Sequence, residues 1–432
     1  MRPVGEEKEF TRAGICAAIA AWIGMAIGPN SMVSAPMSLF IKPLTTEFHL
    51  SRTAISALLL ISPWANALFS PSAGRWMDRW GLRRVLLPGA LLFALASMAR
   101  GLVTSPWQLA LGFFVVSLAS AMNSSVGYAK LVSLWFSRHR GIVLGCAIAL
   151  GAGLASASVP QIVRIVIAHH GWRVAYAVLG GFILILPLPA LFFLMREPIR
   201  TETAEQLRQA EAELPGLTRA EAIRTRTFWL IFFAILLASM ALIGTTAHAV
   251  PLLTERGFSS LIGTTVVSCF FFGGVAGQLT SGFIADRVDS QRVVLPYFAS
   301  ALVGAMIVHR ATSTPVLLGG ALFMGLGQGA EIAFAAYLTS RYFGLRAYGS
   351  IYSVLYAASN IGIGIGLMTM GLVHDHVGTY RPMAYVFGAA LLVATLCIAL
   401  LGPYAYASRK TVEKTRIVPE PTLDGDGAAK AD

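Results

Sequence analysis

The dominant feature of this sequence is a series of about twelve long apolar runs. A helix needs roughly 20 residues to cross the hydrocarbon core of a bilayer, and each run is about that long. The runs cover residues 13–39, 53–73, 85–104, 106–136, 141–168, 172–195, 227–252, 261–283, 293–311, 314–343, 347–373 and 380–405. Short links join all of them except the central pair, so neighbouring helices are antiparallel. The pattern predicts an all-α membrane protein, a helical bundle in lipid.

The composition is typical of a membrane-embedded chain. Hydrophobic residues make up 56% and charged residues 12% of the sequence, whereas a water-soluble domain carries about 25% charge. The net charge of +12 raises the hypothesis of a nucleic-acid partner, but the basic residues lie in short loops between the runs. Placing both termini in the cytoplasm puts most of the 33 Lys and Arg residues on the cytoplasmic side, as membrane insertion favours. We therefore expect a lipid bilayer and no nucleic acid.

The sequence also contains an internal repeat. The polar stretch from Gly74 to Arg84 returns in weaker form from Gly282 to Arg292, and Asp78 matches Asp286 at an offset of 286 − 78 = 208 residues. Two further pairs, Trp135-Phe136 with Tyr342-Phe343 and Glu47 with Glu255, keep nearly the same offset. Three matches at one spacing indicate a duplication, which predicts two pseudo-symmetric six-helix bundles.

The repeat and the one long polar segment predict the domain boundaries. We expect a cytoplasmic N-terminus at 1–12, bundles at 13–195 and 227–405, a cytoplasmic loop at 196–226 and a disordered cytoplasmic tail at 406–432. Thr218 and Glu221 form a capping-box pattern just before the seventh run. The loop is interpreted as a tether between the halves, with a regulatory or docking role as the alternative.

Twelve spans in two halves, with Gly74, Asp78, Arg79, Gly81 and Arg83-Arg84 between spans two and three, resemble the major facilitator superfamily. Within it, the stretch from Trp135 to Gly153 and the Gly171-Trp172-Arg173 entry to span six are similar to monocarboxylate-transporter-like families, including oxalate/formate exchangers. The resemblance implies a transporter that exposes a central site to each side of the membrane in turn, and not an enzyme.

Two departures from those families concern the positive charge that would hold a carboxylate. The position in span eight where members often carry an Arg is Gln278 here. Span eleven, residues 347–373, contains none of the Lys that the oxalate exchangers use. The departures weaken an assignment to lactate, oxalate or formate in particular.

The resemblance assigns a gate to the polar loop. A carboxylate at the end of span two can accept hydrogen bonds from the N-terminal amides of a neighbouring helix. Such a contact would latch the cytoplasmic side shut; plain topogenic charge is the alternative. The expected gating residues are Gly74, Asp78, Arg79, Arg83, Asp286 and Arg287.

Glu331, near the middle of span ten, is the expected proton-coupling residue. A charge at the centre of a membrane helix costs roughly 2.5–3.5 kcal/mol on insertion scales, and a carboxyl group avoids that cost by taking up a proton. The alternative is a structural Glu bonded to a basic or backbone partner within the bundle.

Polar side chains on the spans that usually line the central cavity are the expected substrate ligands, because amides and phenols suit hydrogen bonding to carboxylate or hydroxyl groups. Lys130 could pair with Glu331, attract an anion or reach back to the interface. The predicted set is Asn30, Asn123, Tyr128, Lys130, Gln278, Gln328, Tyr356 and Asn360. For each of them a plain bond between helices is the alternative. His248 is interpreted as a structural histidine.

Two short patterns suggest other chemistry and are set aside. Gly151-Ala152-Gly153 follows no strand, so it is not a nucleotide loop. His374-Asp375-His376 has no further ligands nearby and is interpreted as solvated charge in an outer loop, not as a metal site. We expect neither a cofactor nor a metal.

The sequence thus predicts a secondary transporter that takes up a small, monocarboxylate-like organic anion by alternating access with proton symport. It is expected to be a monomer in the inner (plasma) membrane of a bacterium. The alternatives are an efflux transporter for an amphipathic metabolite or drug, and a non-transporting membrane sensor or scaffold.

Overall fold

The computed structural model describes residues 11–136, 143, 146–195, 215–285, 287–288 and 290–406, apart from the side chains of Asp78, Val126, Cys146 and Ile148. The regular structure of these residues is helical. The first-half α-helices are α1 Arg12–Ala26, α2 Met37–Phe48, α3 Arg52–Trp80, α4 Leu82–Ala99, α5 Pro106–Met122, α6 Ser125–Trp135, α7 Leu154–Ile185 and α8 Pro187–Phe193. The second-half α-helices are α9 Arg219–Ile223, α10 Arg226–Ala247, α11 Ala249–Glu255, α12 Ser260–Ala285, α13 Leu295–Arg310, α14 Thr314–Phe343, α15 Tyr348–Val377 and α16 Met383–Ala399.

Shorter helical turns complete the spans. A π-helix at Asn30–Ser34 joins α1 to α2, and a second, Cys146–Gly153, leads into α7. Turns of 3₁₀-helix lie at Arg100–Leu102 and Gln291–Val294.

The twelve predicted spans correspond to these helices. Within the described residues, ten helical stretches are long and apolar enough to cross a membrane. One of them, Ala149–Phe193, holds two spans, because Gly171 with φ 83° and ψ 169° breaks it in the middle. The shorter apolar helix Met383–Ala399 supplies the last span. The fold is a bundle of twelve membrane-spanning helices.

Polar residues set the ends of the spans. Ser51, Ser105 and Thr225 precede α3, α5 and α10, and each side chain accepts a hydrogen bond from a first-turn amide. Such caps satisfy N–H groups that have no partner inside the helix. The capping box predicted at Thr218 and Glu221 is confirmed at the start of α9.

The internal repeat of the sequence is also a repeat of helices. The starts of α3 and α12 are 208 residues apart (260 − 52), and so are those of α5 and α14 (314 − 106). The packing repeats as well: α10 packs on α15 and α16, as α1 packs on the second π-helix and α8. We call the two repeats the N-half and the C-half.

Antiparallel spans divide the loops between two faces. The terminal face carries the connections at 80–82, 223–226 and 344–348 and the last described residues near 406. The distal face carries the connections at 49–51, 103–105, 256–259, 311–313 and 378–382. Residues 1–10, 196–214 and 407–432, in the predicted soluble segments, lie outside the described residues.

Candidate functional site

The two halves are joined at the distal face by a carboxylate. Asp375, near the end of α15, accepts hydrogen bonds from Arg52 N at 3.0 Å and Thr53 N at 2.7 Å. These amides open α3, where helix N–H groups lack internal partners and negative charge is stabilised. Asp375 of the C-half therefore caps a helix of the N-half. The interpretation of this residue as solvated charge is wrong in that respect.

Close packing continues the distal contact into the bundle. Ser56 Oγ lies 3.3 Å from His248 Nε2 of the other half. A Cβ atom at Gly371 would fall 2.5 Å from Ser56 Oγ, and one at Gly364 would fall 2.3 Å from Trp64 Nε1. His248 Nδ1 also lies 3.3 Å from Gly244 O, so both ring nitrogens have partners, and its interpretation as a structural histidine stays a prediction. Small residues thus let α3 and α15 touch along their distal parts.

Towards the terminal face the same two helices separate. On α3, Leu68 lies one turn after Trp64 on the same side of the helix, and it is 71% exposed. On α15, Leu367 is fully buried among residues of both halves. Tyr356, three turns earlier on nearly the same side of the helix, is 47% exposed. The two halves therefore touch near the distal face and separate towards the terminal face.

Glu331 lies in a polar cluster inside the C-half. Its side chain is 3% exposed. Oε1 accepts from Ser239 Oγ of α10 at 2.6 Å, and Oε2 accepts from Gln328 Nε2 at 3.1 Å. Ser239 Oγ also lies 2.7 Å from Ser359 Oγ of α15. The carboxyl group therefore faces the interior of the bundle and joins α10, α14 and α15.

The partners of Glu331 are all neutral. Among the described residues, no Lys, Arg or His nitrogen lies within 4.0 Å of its carboxylate. The amide oxygen of Gln328 is buried and has no hydrogen-bond partner within the same part of the chain. A buried carboxyl without a counter-ion, beside an unused acceptor, is expensive to keep as an anion.

Glycines bring α12 and α14, the helix that carries Glu331, into backbone contact. A Cβ atom at Gly325 would lie 1.9 Å from Phe270 O, and one at Gly329 would lie 1.9 Å from Gly274 O. The facing glycines recur every four residues on both helices, the spacing that brings membrane helices together.

The predicted ligands of the N-half fall into two groups. Asn30 is exposed, and its Nδ2 donates to Ser156 Oγ at 3.2 Å. Asn123 and Tyr128 are 3% and 1% exposed, and Tyr128 OH donates to Asn123 Oδ1 at 3.0 Å. Lys130 is half-buried on α6. The structure therefore keeps Asn123 and Tyr128 within the N-half, away from open space, and presents Asn30.

The predicted ligands of the C-half lie closer together. Gln328 bonds Glu331, and Tyr356 and Asn360 flank Ser359 on α15, with Asn360 Nδ2 donating to Tyr356 O at 2.9 Å. Gln278 is half-buried on α12 beside Gly329 of α14. Three helices thus bring amide, hydroxyl and carboxyl groups to one place.

The predicted gating residues lie at the terminal face as far as they are described. Among the described residues, no atom lies within 4 Å of a Cβ position at Gly74, and Arg79 is exposed. Arg83 Nη2 donates to Phe192 O at 2.8 Å, and the Arg287 guanidinium lies 3.3 Å from the ring centre of Phe283. Asp286 and the side chain of Asp78 lie outside the described residues.

Sequence reasoning missed Ser239, Ser359 and the capping role of Asp375. The two serines carry no periodic or charge signal. Asp375 does carry one, because a carboxylate in the last turn of a helix opposes the helix dipole and calls for a partner elsewhere.

Two repeated six-helix halves that meet at the distal face, with a buried carboxyl cluster inside the C-half, have the architecture of a membrane transporter. The sequence model of one protein family, the Major Facilitator Superfamily, matches residues 13–308 and 249–424 of this chain. The chain belongs to that superfamily.

Curated relatives are similar over most of their length. The gallate transporter of Pseudomonas putida is 26% identical over 377 residues, covering 76% of this chain and 82% of that protein. The probable 4-methylmuconolactone transporter of Cupriavidus pinatubonensis is 26% identical over 389 residues, covering 84% and 87%. Monocarboxylate transporter 4 of Rattus norvegicus is 24% identical over 390 residues, covering 88% and 81%.

Proposed function

We propose that this protein is a secondary active transporter that takes up a small organic anion, monocarboxylate-like in character, together with a proton. Three relatives named for gallate, 4-methylmuconolactone and monocarboxylates support the anion. The protein works without a cofactor, as a monomer in the inner membrane. Its termini are cytoplasmic, so the terminal face is the cytoplasmic face.

The proposal of proton coupling rests on the environment of Glu331. The carboxyl group is 3% exposed and bonded only to neutral Ser239 and Gln328 among the described residues. Taking up a proton removes the cost of burying its charge, and the protonated group can donate a hydrogen bond. Helices α10, α14 and α15 meet at this carboxyl, so its protonation state affects how they pack.

The bundles at 13–195 and 227–405 are proposed to rock about the cavity between them. In the arrangement described above, the contact of Asp375 with Arg52 and Thr53 closes the outer side. In the opposite arrangement this contact breaks and the cytoplasmic residues Asp78, Arg79 and Arg83 close the other side. Asp286 and Arg287 act as the weaker copy in the C-half.

Substrate contacts are proposed for the polar residues that face the cavity or the cluster beside it. We assign direct hydrogen bonds to the substrate to five of them: Asn30, Gln278, Gln328, Tyr356 and Asn360. Asn123 and Tyr128 bond one another, so they act by shaping the N-half. Lys130 supplies positive charge near the cytoplasmic side.

The experiment is uptake into proteoliposomes with labelled mono- and dicarboxylates, with and without an imposed pH gradient. We expect at least one monocarboxylate to accumulate only when the outside is more acidic. Glu331→Gln should abolish this accumulation and retain exchange of substrate across the membrane. Glu221→Gln, the same change on the exposed helix α9, is the matched control and should accumulate substrate normally. Full pH-driven uptake by Glu331→Gln would refute the coupling role.

A further inference from the structure

A row of phenols lies on one side of α15. Tyr348, Tyr352 and Tyr356 recur every four residues on α15, so they lie on one side of the helix. Tyr348 is the first residue of the helix at the terminal face. Ser359, which bonds the Glu331 cluster, follows Tyr356 by three residues. The row therefore runs from the terminal face to the cluster.

The tyrosine side of α15 faces the other half of the protein and not lipid. Leu367 and Met370 continue that side towards the distal face, and both are 0% exposed. Leu367 packs in a core shared by the two halves. The opposite side of the helix carries Ile361 and Ile365, which are 41% and 38% exposed, as expected for contact with acyl chains.

The ring of Tyr356, the tyrosine nearest the Glu331 cluster, does not stack on another ring among the described residues. The rings of Tyr348 and Tyr352 are parallel, with centroids 5.9 Å apart and an angle of 2°. Tyr356 has no aromatic neighbour among the described residues, and 47% of its surface is exposed. Aromatic rings gain from stacking on one another beyond the area they bury. The amide oxygen of Gln328, buried beside Glu331, is also without a partner in that part of the chain.

We propose that the tyrosine row of α15 binds the ring of the transported anion, so that the substrate class is a single-ring aromatic carboxylate. This inference rests on the proposed function, since it names the cargo of the same site. The ring stacks against Tyr356 and Tyr352. Related families often carry an Arg where this protein has Gln278. Without that positive charge, ring stacking contributes a larger share of the binding free energy.

The test compares two acids of equal size that differ only in aromaticity. Labelled benzoate and cyclohexanecarboxylate are measured separately in proteoliposomes under the same inward proton gradient. We expect benzoate to show a KM lower by about two- to tenfold, the range that stacking energies give. Tyr356→Leu should abolish this preference, because it raises the KM for benzoate by that factor more than the KM for cyclohexanecarboxylate, whereas Tyr356→Phe should retain the preference. Tyr385→Leu, at a 70% exposed position on α16, is the control for loss of a tyrosine.

The outcomes separate the inference from the proposed function. Equal KM values for the two acids in the wild type, or a benzoate preference that survives Tyr356→Leu, would overturn the tyrosine row as the ring site. Proton-coupled carboxylate transport would then still stand. If no carboxylate enters under any gradient, the proposed function fails and the inference fails with it. The comparison in the unmutated protein holds even if the leucine variant does not fold.

Discussion

The contact of Asp375 with the start of α3 makes a direct prediction about the conformational equilibrium. Asp375→Ala removes both acceptors for Arg52 N and Thr53 N and leaves two helix N–H groups without their cap. The contact joins the two halves only while the distal face is closed. Its loss therefore destabilises the closed distal arrangement and leaves the arrangement with an open distal face unaffected.

The size of the effect follows from the kind of bond and its exposure. Losing an N-terminal cap costs about 0.5–2 kcal/mol. The Asp375 side chain is 25% exposed, so water replaces part of what is lost. A net cost of about 1 kcal/mol corresponds to a shift of roughly fivefold in the ratio of the two arrangements. Such a shift is large enough to see in a population measurement.

The assay is a distance distribution between spin labels on the distal ends of the two halves. Labels at positions 107 and 312, both exposed, report on α5 and on the connection before α14 in a variant without other cysteines. Asp375→Ala should raise the ratio of longer to shorter distances about fivefold. His376→Ala changes the next, exposed residue and should leave the distribution as in the parent. Identical distributions for both variants would refute the role of Asp375 as a latch.

Two further predictions concern packing and pH. Gly325→Ala should lower Tm by several degrees, because its Cβ would meet Phe270 O. Gly319→Ala on the same helix has no described atom within 4 Å of the new Cβ and should leave Tm unchanged or slightly raised. Equal Tm values for the two variants would contradict backbone contact between α12 and α14. The N–H and O–H groups of Thr218 donate to the Glu221 carboxylate and hold its pKa below the usual range. The stability this adds to α9 is present above the ordinary Glu pKa of roughly 4 and is lost as the pH falls through the lowered value. As the Glu221 carboxylate takes up its proton, hydrogen exchange of the 222 and 223 amides should become faster than the intrinsic pH dependence of exchange predicts. Unchanged protection of these amides down to pH 3 would contradict the capping box.

Much of the fold was predictable because lipid imposes a simple rule on the chain. Backbone groups in hydrocarbon must be bonded within the segment, so length and apolarity alone locate the spans. The duplication predicted the second half from the first, and the offset of 208 residues recurs in the helix starts. The break at Gly171 was recognisable as a boundary between spans five and six because polar residues surround it.

The site was harder to predict because its contacts join distant parts of the chain. Glu331 stood out as a charge within an apolar run, but its partners Ser239 and Ser359 are ordinary serines until α10, α14 and α15 meet. Asn123 and Tyr128 looked like cavity residues by helix membership. The side of the helix on which they lie, set by packing against Gly24 and Gly89, turns them towards each other.

The coupling of anion and proton movement is tested most directly by following the proton itself. Proteoliposomes containing a pH-sensitive dye receive the transported carboxylate with no pH gradient imposed. The account predicts acidification of the interior in step with uptake of labelled substrate. It also predicts that Glu331→Gln loses this acidification while substrate exchange continues. Uptake by the wild type without proton entry, or undiminished proton entry in Glu331→Gln, would contradict the account.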